Sequence, residues 1–562
     1  MIDKVKNRAY LPILLTLLFF SIFCTSGNFV DGKIMSKWYA FILLTCAGGW
    51  QMVLDQQHRI ALDKIFIALT ALLGYFLLRG ILCGMPKIDI AIYISLVAVY
   101  MLFKRNIDQT HILNLFFLTI AALQAIYALL QYTMIVPTRD TFNVLGSYNN
   151  PAGLAAGLSC VFPLIFIYWP KLKILSILFI AVSTIAILLS GSRAGLLSII
   201  IVSIIYFFDH LPAKSPRFKK IIIVLVTITL TVSCIYLFFL KEQSAIGRIL
   251  IWKVTSCMIT ENLFWGAGSY GFLKNYMLSQ AEYFTKNTDD NYAMLASTIM
   301  HPFNEYLLLI SKYGIVGLSF IFYAFLYLIK RVRISSPYML CIICICIFSL
   351  FSYPFQYPFT SIALLYSISQ ILGADQQSVR FGKIWSKLLL SSLLLIAGFY
   401  VLQDISFEYK WNKTAQLSLA GQTSAMRPYF TELEEEWNGN PLFLYNYAAE
   451  LHHLGEPTKS LDILKKTNIY WNDYDIEMLF ADNYRQLEDW TAAEKHLKSA
   501  SNMCPNRFLP LFYLHEIYVK TGRTEKAMEI AYLVINKKAK IPSSTVSFIR
   551  AQMRRYVSAD NN

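Results

Sequence analysis

Charge is scarce in this 562-residue chain: Asp, Glu, Lys and Arg make up 15% of it, where a typical soluble domain carries about 25%. With 56% hydrophobic residues and a mean hydropathy of +0.48, that shortage excludes a soluble globular enzyme and a secreted one. Paired cysteine motifs are missing too. The ten cysteines fall mostly inside apolar runs (Cys24, Cys46, Cys160, Cys234, Cys341, Cys344, Cys346), and no CxxC has a matching second pair. They read as small packing residues, so no metal site is expected. No small-x-small cleavage site follows the basic opening, Lys4, Lys6 and Arg8 before Leu11–Phe23, which reads as an uncleaved first helix. The net charge of +15 does not point to nucleic acid, because most basic residues before position 400 lie in short loops between apolar runs.

Apolar runs are what the chain has in abundance. They recur from Leu11 to Val401, and at about 20 residues each they are long enough as helices to cross ~30 Å of hydrocarbon. Thirteen spans are expected near 10–30, 38–54, 62–82, 88–103, 111–136, 151–169, 172–190, 194–209, 219–240, 303–329, 337–353, 358–373 and 387–402. With the N-terminus cytoplasmic, nineteen Lys and Arg fall in inside segments, from Lys4 through Arg105, Lys171, Lys214 and Arg333 to Lys387. The short outside loops hold six: Lys33, Lys37, Arg79, Lys87, Arg139 and Arg193. That asymmetry sets orientation. The long loop near 241–302 then faces outward, and an odd number of spans puts the tail outside too, in the periplasm of a Gram-negative cell.

The tail, 403–562, is charged and helical in period, and it repeats. Ala448, Ala481 and His515 stand 33 and 34 residues apart, as do Leu451, Tyr484 and Tyr518, then Ser460, Ala493 and Ala527, then Leu464, Leu497 and Ala531. This resembles the tetratricopeptide repeat (TPR), a helix–turn–helix unit whose small residues let paired helices pack closely. The expected fold class is all-α: a polytopic membrane bundle over 1–402, followed by a TPR-like α-solenoid over 403–562. Solenoids bind peptides or partner proteins, so the tail is expected to choose or recruit a partner molecule. On that expectation its removal leaves substrate binding by the membrane part intact.

Polar residues at outer membrane ends carry the chemistry. A membrane-embedded or interfacial Arg is a functional hypothesis by default. Arg193 lies in the short outer hairpin Leu188–Gly195, and Arg248 opens the long loop in Gly247–Trp252. Ile246, Ile249, Leu250, Val254, Cys257 and Met258 share one helical face around Arg248, which suggests an amphipathic helix in the membrane interface. The glycines of Glu261–Phe272 offer backbone N–H groups to an anion, without the Gly-Lys-Ser/Thr ending of a nucleotide loop. His301, Asn304 and Glu305 would share one face if helical. Arginines grip a diphosphate bidentately and His acts as base, so the substrate suggested is an anionic lipid diphosphate at the outer surface.

Four motifs, in order, give the chain its resemblance to the O-antigen ligase/O-antigen polymerase superfamily, which includes bacterial protein O-oligosaccharyltransferases. They are Gly146–Gly153 (GSYNNPAG), Ser190–Arg193 (SGSR), Gly247-Arg248…Trp252…Gly266-Ala267-Gly268, and His301–Tyr306 (HPFNEY) followed by Gly314–Gly317. The resemblance implies metal-independent, cofactor-free glycan transfer from undecaprenyl diphosphate to lipid A–core or protein. It assigns the diphosphate to Arg193 and Arg248 and the base to His301, with Asn149, Asn150, Trp252, Gly266, Gly268 and Asn304 as substrate contacts. Many relatives carry a second His near the Asn, where this chain has Phe303. A ligase is expected first, a protein O-oligosaccharyltransferase second and a polymerase third. A non-enzymatic transporter of lipid-linked sugars is the alternative of a different class.

Overall fold

Local sequence explains where several helices begin or end in the computed structural model, which describes residues 10–55, 64–138, 141–210, 239, 242–287, 291–373, 383–437 and 439–560. The first five are α1 (Leu11–Phe23), α2 (Met35–Leu54), α3 (Lys64–Cys83), α4 (Lys87–Arg105) and α5 (Thr110–Tyr132). Asn150 caps α6 (Pro151–Ser159), its Oδ1 accepting from the Gly153 N–H at 2.8 Å, and Pro151 occupies a first-turn position that needs no N–H. The expected span 151–169 is broken here. Pro163 cannot donate, and its ring blocks the carbonyl four residues back, so α6 stops at Ser159 and a 3-10 turn, Phe162–Ile167, takes over. The Ser159 carbonyl accepts instead from Cys344 Sγ at 3.0 Å.

Next come α7 (Lys173–Leu189) and α8 (Arg193–Asp209), the latter capped by Ser192. The long loop holds α9 (Glu242–Ile259) and α10 (Gly271–Lys286). Then follow α11 (Glu305–Ile329), α12 (Pro337–Ser349), α13 (Pro358–Leu372) and α14 (Lys383–Leu417). The tail supplies α15 (Thr423–Glu436) and three successive helix pairs: α16 (Pro441–His453) with α17 (Pro457–Thr467), α18 (Tyr474–Gln486) with α19 (Trp490–Met503), and α20 (Leu509–Lys520) with α21 (Thr524–Asn536). The last helix is α22 (Ser544–Asp560). Among the described residues there is no strand.

The expected ninth span, 219–240, lies outside the described residues, apart from Phe239, as do the loop cations Lys4, Lys6, Arg8, Arg59, Arg139, Lys214, Arg217, Lys219, Lys220 and Arg380. Every other expected span carries a helix, yet only four described stretches are long and apolar enough to cross a membrane: Phe66–Cys83, Ile107–Tyr132, Glu305–Ile329 and Lys387–Glu436. α1 and α12 have 13 residues and α13 has 15. At ~1.5 Å per residue they reach roughly 20–22 Å, short of the ~30 Å hydrocarbon core. Hydropathy marks where apolar sequence lies and does not measure how much of it is helix.

The chain divides into two compact units. The first comprises Met1–Leu240, Phe303–Leu309 and Ile315–Asn412; the second comprises Lys241–Pro302, Ile310–Gly314 and Lys413–Asn562. The sequence places a boundary near 402 and leaves the outer loop with the membrane part, whereas the structure groups that loop with the tail. In the first unit Phe41, Phe103, Phe117, Phe162 and Phe359 are fully buried at the core. In the second, the repeated small positions Ala448, Ala481, Ser460, Ala493, Ala527 and Ala531 have no exposed surface, which lets the paired helices approach closely.

Candidate active site

The first unit holds Asn149, Asn150, Arg193 and Asn304; the second holds Arg248, Trp252, Gly266, Gly268 and His301.

In the first unit, buried polar side chains tie down the loop 145–150. Gln131 Oε1 accepts from the N–H groups of Leu145 (2.9 Å) and Gly146 (2.7 Å), and its Nε2 donates back to the Gly146 carbonyl at 2.9 Å. Gln124 Nε2 donates to Ser147 Oγ at 2.8 Å. Lys37, which has no exposed surface, donates to the carbonyls of Ser147 (2.9 Å), Lys33 (2.7 Å) and Cys24 (3.3 Å). Asn150 Nδ2 donates to Asn149 Oδ1 at 3.1 Å and to Tyr357 Oη at 2.9 Å, and Tyr357 Oη donates to Asn149 Oδ1. A Cβ on Gly153 would lie 2.6 Å from the Tyr357 ring, so the glycine makes room for that tyrosine. Asn149 and Asn150 thus build the loop and cap α6.

Arg193 is the first residue of α8, partly buried, directly after the Ser192 cap. Gly195 brings α8 close to α6, since a Cβ there would lie 3.0 Å from Ala155 Cβ. A cation at a helix N-terminus faces the positive end of the macrodipole, so Arg193 is poorly explained by helix stability. An anion at the same place would be favoured by the guanidinium and by the helix end together.

In the second unit, α9 buries Leu250, Val254, Thr255, Met258 and Ile259, and it packs on α10 and on the short turn Asn291–Leu295. Leu250, Val254 and Met258 were expected on that face. Ile249 and Cys257 are exposed instead. Part of the stripe is therefore covered by protein, and part of it, at Ile249 and Cys257, stays open. Arg248 and Trp252 stand one turn apart on α9. Trp252 Nε1 donates to the Pro302 carbonyl at 3.0 Å, tying the residue after His301 to the helix that carries Arg248. His301 is only partly exposed. Burial first, and the nearby Lys312 charge second, push its imidazole from the ordinary value near 6.5 down to about 3, so it is neutral at physiological pH.

The glycines of the loop do a different job from the one expected. Gly266 N–H donates to Asn262 O at 2.8 Å, Ala267 N–H to Ser311 O at 2.8 Å and Gly268 N–H to Lys312 O at 3.0 Å. These N–H groups are engaged, so they form no open anion cradle. The carbonyls of Ser311 and Lys312 are available because α11 breaks at Gly314 (φ 67°, ψ −173°), a conformation essentially restricted to glycine. The approach is mutual: a Cβ on Gly266 would lie 2.4 Å from Lys312 C, and one on Gly314 2.1 Å from the Phe264 carbonyl oxygen.

The HPFNEY segment is also built otherwise than its spacing suggests. Residues 301–304 are not helical, and Asn304 is the cap of α11, its Oδ1 accepting from the N–H groups of Tyr306 and Leu307, both at 3.0 Å. His301, Asn304 and Glu305 therefore share no helical face. Glu305 accepts from the Phe355 N–H at 3.3 Å, and Tyr306 donates to the Cys346 carbonyl at 3.0 Å. Phe303 takes a positive φ of 52°, a left-handed conformation that costs an L-residue about 1–2 kcal/mol.

Sequence reasoning passed over Lys37, Tyr357 and Lys312. Lys37 stood among the outer-loop cations, although its neighbours Trp38 and Tyr39 hinted at burial. Nothing local marked Tyr357 or Lys312, whose partners lie far off in sequence or on another segment.

Residues 177–322 match a family model described as O-Antigen ligase, and a search of curated proteins finds no match. The matched stretch contains Arg193, Arg248, Trp252, Gly266, Gly268, His301 and Asn304, and leaves Asn149 and Asn150 outside it. The match supports the O-antigen ligase superfamily, an enzymatic glycan transfer of the ligase or polymerase kind, and, with the apolar helices, a membrane protein.

Proposed function

We propose that this protein transfers a glycan from undecaprenyl diphosphate to an acceptor hydroxyl on lipid A–core, at the outer face of the bacterial inner membrane. The observation that carries the reading is the Trp252–Pro302 hydrogen bond: it fastens the Arg248 helix beside His301, inside the stretch that matches the O-antigen ligase family.

Arg193 and Arg248 hold the donor's diphosphate, which leaves with the electron pair of the broken glycosyl C–O bond. The acceptor oxygen bonds to the anomeric carbon and its proton passes to the neutral imidazole of His301. The positive charge that stabilises the leaving group comes from guanidinium groups, and the scheme draws on no metal or cofactor. An imidazole near pKa 3 is a weak base, since efficient catalysis wants a pKa near the working pH. The bound diphosphate supplies the correction, because a neighbouring anion favours the protonated form and raises the pKa. The N-terminus is cytoplasmic and the tail, a TPR-like solenoid in this reading, is periplasmic.

Deleting the gene and analysing lipopolysaccharide and periplasmic glycoproteins side by side tests the reading. Loss of long-chain lipopolysaccharide with accumulation of lipid-linked glycan supports the ligase. Loss of modified proteins assigns the acceptor to protein. Shortened chains on an otherwise capped core assign a polymerase, and lipid-linked glycan trapped on the cytoplasmic face assigns a transporter.

A further inference from the structure

The second unit contains an arrangement that glycan transfer by itself does not call for. α10 buries Phe272, Tyr276, Met277, Gln280 and Phe284 along one face, and it packs against α19 of the tail. Its contacts run along the connections between successive helix pairs. Tyr270 Oη donates to the Gly439 carbonyl at 3.0 Å, just before the first pair. The Asn472 N–H donates to the Leu273 carbonyl at 3.3 Å, between the first and second pairs. Asn502 Nδ2 donates to Thr285 Oγ1 at 3.1 Å, at the end of the second pair.

Two amides do more than join helices. Gln280 is 1% exposed in the middle of an apolar face, where an unsatisfied amide would be costly. Its Nε2 donates to the Met503 carbonyl at 2.7 Å and, more weakly, to the Ser297 carbonyl at 3.4 Å, while its Oε1 accepts from Tyr276 Oη at 2.9 Å. One side chain thereby ties α10, the end of α19 and the segment leading to His301. Asn506, in the connection after α19, donates from Nδ2 to the carbonyls of Ala296 (2.6 Å) and Met294 (3.2 Å). The same short segment is held at its far end by Trp252 on Pro302. His301 thus sits on a stretch pinned at one end by the tail and at the other by α9.

We propose that the tail's helix pairs are the mount of segment 294–302, with Gln280 and Asn506 as positioning residues that keep His301 in place. The consequence for the transfer step rests on the reading given under Proposed function; the mount itself does not.

The test uses full-length protein in detergent with Asn506→Asp and Gln280→Glu, which keep side-chain shape while turning each donor against the carbonyl it holds. Two readouts need no glycan: amide hydrogen exchange of peptides covering 294–302, and the rate at which diethyl pyrocarbonate modifies His301. Each should rise at least about tenfold in both variants, with exchange in α20–α21 unchanged. Glycan transfer should fall about 10- to 100-fold in kcat with donor KM nearly constant, the scale expected when a reacting group is displaced by roughly 1 Å. If Gln280→Glu does not fold, Asn506→Asp decides. Wild-type protection of His301 and segment 294–302 in a folded variant overturns the proposal, whatever transfer does. Absence of transfer by the wild-type protein overturns the functional reading and leaves the protection measurements to judge the mount.

Discussion

Replacing Glu488 with glycine should stabilise the middle helix pair of the tail. Glu488 lies 33 residues after Gly455 and 34 before Gly522, and the three share a left-handed backbone, with φ of 59°, 72° and 69°. Each closes its helix with the same two hydrogen bonds: Gly455 to His452 O and Glu456 to Leu451 O, Glu488 to Arg485 O and Asp489 to Tyr484 O, Gly522 to Val519 O and Arg523 to Tyr518 O. This is the helix-ending pattern in which glycine is favoured. An L-residue there costs about 1–2 kcal/mol, and glycine's extra freedom in the unfolded chain takes back roughly 0.5–1 kcal/mol. Glu488→Gly should therefore gain about 0.5–1 kcal/mol. Gly455→Ala and Gly522→Ala should each lose about 1 kcal/mol. A Cβ at either glycine meets nothing within 4 Å, so no steric contact adds to the backbone terms. Native-state hydrogen exchange on the full-length protein reads each pair separately. Since about 1.4 kcal/mol corresponds to tenfold, α18–α19 amides should exchange about 2- to 5-fold slower in Glu488→Gly. The pair that carries each alanine should exchange about 5-fold faster. Faster exchange in Glu488→Gly, or no change in either alanine variant, would refute the strain argument.

Arg193→Ala and Arg248→Ala should each lower glycan transfer about 30- to several-thousand-fold at matched expression, the equivalent of roughly 2–5 kcal/mol for removing one partner of a desolvated charge pair. Lys at either place should rescue only partly, because it lacks the planar fork, and near-normal turnover in an Ala variant removes that residue from the site. The acid limb of kcat/KM, which reports the free enzyme, should fall near pH 3, whereas the acid limb of kcat should lie higher because bound diphosphate raises the imidazole pKa; coincident limbs contradict the assigned base. The same low pKa means the unfolded chain binds the extra proton first, so His301's contribution to stability should be lost as pH falls from about 6.5 towards 3; a His301→Gln variant that keeps the wild-type slope over that range would sink this. A periplasm-dependent reporter fused after Asn412 should be active and one after Arg333 silent; a silent fusion at 412 would place the tail in the cytoplasm.

Helix positions and the buried small residues of the tail were legible because both are written in short-range spacing. The offsets that align Ala448 with Ala481, or Ser460 with Ala493 and Ala527, mark residues with no exposed surface. Long-range pairing was not legible. Gly266, Ala267 and Gly268 look from their own neighbourhood like free donors, and only Gly314, nearly fifty residues on, reveals whose carbonyls they meet. Asn149 and Asn150 read as ligand contacts, and only Tyr357, some two hundred residues on, reveals that they also build the loop. Asn304 is the reverse case: a cap residue ahead of an apolar helix was visible in the local pattern, and the motif it belongs to drew attention to chemistry instead.

Because α10 packs against α19, the order of synthesis matters. About 200 residues separate Lys286 from Trp490, and at roughly 5–20 residues per second a ribosome needs on the order of 10–40 seconds to make them. Through that interval Phe272, Tyr276, Met277 and Phe284 have emerged without the helix that will cover them. A chain cut short by a stalled ribosome or a protease before α19 keeps every candidate catalytic residue and, on the mount proposed above, loses the support of segment 294–302. Completion of the tail would on that proposal act as a checkpoint, since truncated copies would carry His301 on an unsupported segment.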